Sequence, residues 1–126
     1  MPAGSIFFLT ALYHFHDYGK MEIKQTVQRL AALAQENRLG IFRLLVEAGP
    51  AGMAAGKVAE ALGLAPATLS FHLKELTHAG LVQARQEGRF IFYSADFAAM
   101  NDLIATLTEN CCGGQPCLPA CGPNCH

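Results

Sequence analysis

The chain has 126 residues, enough for one modest core and too few for two domains of ordinary size. An apolar share of 52% excludes a disordered chain. A formal net charge of -1, from 9 Lys and Arg against 10 Asp and Glu, excludes a polybasic binder, so affinity for an acidic polymer has to come from local placement of charge.

Residues 1–20 show no clear period and stand as an N-terminal extension of unassigned role. Their longest wholly apolar run, Ile6 to Leu9, falls far short of the roughly 18 residues that cross a bilayer. No Lys or Arg precedes it, as a secretory signal requires, so no membrane span and a cytoplasmic location are expected. From 22 to 35, Ile23, Val27, Leu30 and Ala34 recur at helical spacing. Asn37 to Ala48, with Ile41, Phe42, Leu44, Leu45 and Val46, predicts a more deeply buried second helix, which Gly49-Pro50 ends.

Val58, Ala59 and Leu62 mark a short third helix, and Gly63-Leu64 breaks it. A longer helix starts at Pro66, where the missing N–H costs little, and runs to His78 with Gly80 capping its end. Its Leu69, Leu73 and Leu76 form an inward stripe. Leu81 to Gln86 and Arg89 to Ser94, around Glu87-Gly88, predict a β-hairpin. Ser94 to Asp96 is a capping cluster, and Phe97, Met100, Ile104 and Leu107 predict a last helix to about Asn110. The expected fold is mainly α with a small β-hairpin wing, a winged helix-turn-helix in the order α-α-α-α-β-β-α over residues 21–110, followed by a cysteine-rich tail at 111–126.

The second helix of a helix-turn-helix pair enters the major groove of double-stranded DNA. With the Leu stripe turned inward, Ala67, Thr68, Ser70, Phe71, His72 and Lys74 are left on the outward and flanking faces as candidate DNA contacts. Hydroxyls there can bond phosphates or base edges, and Phe71 can meet a thymine methyl. Arg85 and Arg89 bracket the hairpin tip and are candidates for the phosphate backbone or minor groove. A large aromatic opposite a Leu stripe is expected to be covered by something, and DNA or another helix are the two candidates.

Leu33 to Ser94, with NRLGIFRLL, KVAEALGLAPATLSFHLKELTHAGLV and RQEGRFIFYS, resembles the ArsR/SmtB family of bacterial metalloregulatory repressors. The resemblance implies a homodimer built on the first and last helices, so that Ile23 to Ala34 and Phe97 to Leu107 become dimer-forming stripes. It also implies an apo form that sits on an imperfect inverted repeat. The chain departs from the family pattern at Phe71, where a second His is frequent, and at Glu36, where Pro is frequent.

All five cysteines lie at 111, 112, 117, 121 and 125. A disulfide framework is not the expected use of them, because the number is odd, the compartment reads as reducing, and bridges confined to a tail would staple nothing to the core. Inducer sites used elsewhere in the family are missing: GMAAGKVAE contains no thiol, and Phe97 to Asn110 contains no His. Cys111, Cys112 and Cys117 remain, with Gly113 and Gly114 free to take backbone angles that let three sulfurs converge. Three soft thiolates suit As(III) or Sb(III), and the ending resembles the C-terminal arsenite site of a subgroup of arsenical repressors. Cys121, Cys125 and His126 keep zinc, cadmium or copper open, and capture by two thiols alone would suit a methylated trivalent arsenical.

The expected function is an arsenite- or antimonite-responsive repressor that binds operator DNA as an apo homodimer and leaves it on metalloid binding. A non-regulatory metal-binding protein is the alternative from another class. A catalyst is not expected, since the sequence has no Gly-rich phosphate loop and no nucleophile with a neighbouring base other than terminal His126.

Overall fold

A computed structural model describes residues 22–114. Helices α1 (Ile23–Leu33) and α2 (Glu36–Ala48) are followed by a two-residue strand β1 (Met53–Ala54). Helices α3 (Ala55–Leu62) and α4 (Pro66–His78) form the helix-turn-helix, strands β2 (Val82–Glu87) and β3 (Phe90–Ala95) the wing, and α5 (Phe97–Thr108) closes the order. The expected winged helix-turn-helix is therefore the fold, with one addition. Strand β1 pairs with β3, Met53 opposite Tyr93 and Ala54 opposite Phe92, so the wing is an antiparallel sheet in the order β1-β3-β2. Among the described residues, no helix is long and apolar enough to cross a membrane.

Local chemistry explains each boundary. Gln35 accepts from the backbone N–H of Arg38 at 2.9 Å and caps α2, and Asp96 accepts from Ala99 N–H at 3.0 Å and caps α5. Gly63, at φ 64°, provides the left-handed turn between α3 and α4, and Pro66 opens α4 at its first turn. Gly52 sits at φ 74° where β1 meets β3, and a Cβ there would collide with the Tyr93 carbonyl. Only glycine lets the two backbones approach this closely.

One core lies beneath α4. Ile41 and Leu45 of α2, Val58 of α3, Leu76 of α4, and Leu81 are fully buried, with Leu69, Leu73 and Val82 packed among them. The stripe on α4 thus seats its inner face and leaves the other outward. A second apolar surface stays uncovered: Ile23, Val27 and Leu30 on α1, and Ile104 and Leu107 on α5, are 39–60% exposed. Helix α5 packs beside α1.

Candidate nucleic-acid interface

Helix α4 presents Ala67, Thr68, Ser70, Phe71 and Lys74 to solvent, as the sequence predicts. Phe71 is 56% exposed, a large apolar cost for a chain in isolation, and its ring makes a T-shaped contact with the His72 ring at a centroid distance of 5.5 Å. Lys74 has no ion pair among the described residues.

His72 is a correction. It does not lie on an outward or flanking face but is buried, 7% exposed, completing the Leu69, Leu73, Leu76 stripe. Its Nδ1 lies 3.5 Å from Arg38 Nη1. A guanidinium can only donate, so Nδ1 is the acceptor. Arg38 also donates through Nε to the Ala32 carbonyl at 2.6 Å, tying the end of α1 to the inner face of α4. His72 thus packs on the inner face of α4, beside Arg38.

The two wing arginines differ. Arg89 is exposed in the tip turn beside Gly88, whose φ is 62°. Arg85 stands lower on β2, opposite Phe92, and is already engaged. Its Nε donates to Glu87 at 2.6 Å, its Nη2 donates to the Ala51 carbonyl at 3.0 Å, and its Cζ lies 5.5 Å from the Phe92 ring centroid. Arg85 braces the wing against the loop before β1, and a phosphate would have to compete with Glu87 for it.

The wing and α4 enclose a cleft of about 370 Å³ that the sequence does not reveal. Ser70, Lys74, Thr77 and His78 line it from one face of α4, Ala84 and Tyr93 from the sheet, and Leu73 forms part of its wall. Thr77 and Tyr93 lie within the quoted stretches but are not among the candidate DNA contacts. Their common feature, a place along one edge of α4 or on β3, appears only once the hairpin folds back.

Beyond α5 the backbone turns left-handed at Asn110 (φ 55°), Cys112 (φ 54°), Gly113 (φ 67°) and Gly114 (φ 93°). Left-handed angles are easy for glycine and costly for Cys. The turn holds Cys111 Sγ and Cys112 Sγ 3.9 Å apart, both exposed. Each is in a disulfide, and not with the other, which corrects the expectation against disulfides. Cys117, Cys121, Cys125, His126 and residues 1–20 lie outside the described residues, and no group of three metal-ligating side chains occurs within them.

A family model described as "Helix-turn-helix domain" matches residues 33–83, from the end of α1 through α4 into the first residues of β2. The "HTH-type transcriptional regulator YgaV" of Escherichia coli K12 is 32% identical over 89 residues, 71% of this chain and 88% of the relative. Among solved structures, an "ArsR-like Transcriptional Regulator" from Rhodococcus sp. RHA1 is 32% identical with a TM-score of 0.60, covering 67% of this chain and 76% of that one. The homodimeric winged helix-turn-helix domain of Mb0332 from Mycobacterium bovis is 30% identical with a TM-score of 0.56, covering 74% and 86%. A "Possible transcriptional regulator for arsenical resistance" is 30% identical with a TM-score of 0.55, covering 64% and 80%.

Proposed function

Because the chain belongs to the ArsR family of winged helix-turn-helix transcriptional regulators, we propose that it is a repressor released from DNA by a trivalent metalloid. It binds operator DNA as a homodimer in the apo state, and As(III) or Sb(III) captured by Cys111, Cys112 and Cys117 lowers its affinity. The observation that carries this reading is the placement of paired thiol positions directly after α5. Once reduced, adjacent cysteines at the end of α5 offer two thiolates to one ion. Softness then favours a thiophilic metalloid, whose lone pair accepts three sulfurs, over zinc, cadmium or copper with a fourth ligand. The similarity to a possible regulator of arsenical resistance supports the same choice.

The exposed stripes of α1 and α5 support dimerisation, as does the homodimeric state of the Mycobacterium bovis relative. A ligand at the end of α5 therefore acts on the elements proposed to set the distance between two copies of α4. Useful derepression needs affinity to fall about 10- to 150-fold, roughly 1.4 to 3 kcal/mol of coupling. The catalytic alternative has no support from the relatives, which are transcriptional regulators.

One other reading has an observation behind it. Cys111 and Cys112 are disulfide-bonded, which favours a thiol–disulfide role for the tail. Operator release measured for wild type and for Cys111→Ser, Cys112→Ser and Cys117→Ser separates the two. Release by arsenite, antimonite or a methylated trivalent arsenical that the serine variants lose supports metalloid sensing and identifies the inducer. Release by an oxidant alone supports the redox role, and metal binding without any site-specific DNA complex would make the chain a carrier.

A further inference from the structure

The cleft between α4 and the wing is built from donors. Ser70, Lys74, Thr77 and His78 fall at i, i+4, i+7 and i+8, so one edge of the helix carries all four, and Tyr93 of β3 lines the opposite side. No carboxylate lines it. None of these five side chains makes a hydrogen bond or ion pair among the described residues, so the donors are unsatisfied by the protein. Leu73 and Ala84 supply apolar wall. Arg85, one of the two wing cations expected at the phosphate backbone, is held by Glu87 and Ala51.

We propose that this cleft is the seat of one phosphate of the DNA backbone, held by Lys74 and the hydroxyls of Ser70, Thr77 and Tyr93. The inference rests on the DNA-binding reading above and assigns a strand path within it, with the backbone running between α4 and the wing. Such a contact fixes register and orientation and carries no base preference. Phe71, one turn before Lys74 and outside the cleft, is then free to face the base edges.

The test uses the full-length protein and a duplex selected from a random library by the wild type, with binding followed by fluorescence anisotropy across a salt series. Lys74→Ala is expected to reduce the slope of log K against log salt by about one for each protomer on the duplex, about eightfold in affinity per protomer between 1.0 and 0.1 M salt. The loss should be the same on point-substituted duplexes. A neutral methylphosphonate placed at successive positions should find one position per half-site that weakens the wild type and does not weaken Lys74→Ala further. Thr77→Val, which keeps the charge, should weaken binding and leave the slope unchanged. An unchanged slope in Lys74→Ala, a changed base preference, or additive losses at every methylphosphonate position would overturn the phosphate seat. Failure of the wild type to select any duplex would overturn the DNA-binding reading itself, and an unaltered melting profile of Lys74→Ala keeps misfolding out of the comparison.

Discussion

Arg29 donates through Nε to the carbonyl oxygen of Ala79, at 3.2 Å and across 50 residues of sequence. The donor belongs to α1 and the acceptor to the C-cap residue of α4, so the proposed dimer helix is tied to the end of the proposed DNA-facing helix. A cation at a helix C-terminus also opposes the negative end of the helix dipole. Arg29 is 8% exposed, so nearly all of its side chain is packed inside the protein. Arg29→Ala should lower stability by about 2 to 3 kcal/mol in urea unfolding, in line with a lost charged hydrogen bond and lost packing of the stem. Operator affinity, measured where the variant is still folded, should fall as well. Unchanged affinity would mean that α1 does not position α4.

Neighbouring residues on α4 should behave in opposite ways. His72→Leu removes the acceptor that Arg38 approaches inside the protein, and should cost about 1 to 3 kcal/mol of stability while keeping the operator preference. Phe71→Ala removes an exposed ring and should leave stability within about 0.5 kcal/mol. Its effect should appear at a single base-pair position as about 1 to 3 kcal/mol of lost discrimination, largest against replacement of thymine by uracil. A library selection with each variant, next to thermal melts, reads both outcomes.

Why one of these residues was legible and the other was not is a matter of period. Leu69, Leu73 and Leu76 define a helical stripe whose missing member is position 72, so the pattern itself held the information that His72 faces inward. Polarity outweighed position. Arg85 and Glu87 lie two apart on a strand and so share one face, a signal for an ion pair that was likewise present in the sequence. Strand β1, by contrast, has two residues and no period, and its pairing depends on Gly52 permitting contact with a strand 40 residues later. The helices and the hairpin were legible because their cores repeat, and the cleft was not, because Ser70 and Tyr93 share nothing before the chain folds.

That contact makes Gly52 a sharp structural test. At φ 74° any side chain is strained, and here the first carbon also collides with the Tyr93 backbone. Gly52→Ala should cost at least about 1 to 2 kcal/mol and loosen the Arg85 anchor on Ala51. Hydrogen exchange would report it as faster exchange at Tyr93 and Phe92, whereas Gly88→Ala, with open space around it, should disturb only its own turn.

The exposed stripes give a prediction about assembly. Val27 is 57% and Leu107 60% exposed, on helices that pack side by side, so each apolar side chain loses little in the monomer and gains burial in a dimer. Val27→Asp and Leu107→Glu should therefore leave the fold intact by circular dichroism and shift sedimentation to the monomer. Operator affinity should fall by two orders of magnitude or more, because two linked half-site contacts become separate binding events. A dimer that persists in both variants would place the interface elsewhere.

Redox state should decide whether the tail can sense anything. A metalloid is bound by thiolates, and a disulfide sulfur offers neither the negative charge nor the exchangeable proton that capture requires. Cys111 and Cys112 are in disulfides here, and both are exposed at the end of α5, open to a reductant. Arsenite added to the oxidised protein on its operator should thus cause no release, and prior reduction followed by removal of the reductant should restore it. Cys111→Ser and Cys112→Ser should each abolish the restored response and leave apo binding within about twofold, since both residues lie beyond the end of α5 and outside the helix-turn-helix and wing. Because Gly113 and Gly114 hold positive φ, Gly113→Val should also blunt the response by resisting the left-handed turn, with both thiols still present and reactive to a thiol reagent. If the oxidised protein released its operator on arsenite as readily as the reduced one, the cysteines would not be the sensor, and the inducer would have to act through residues outside 111–117.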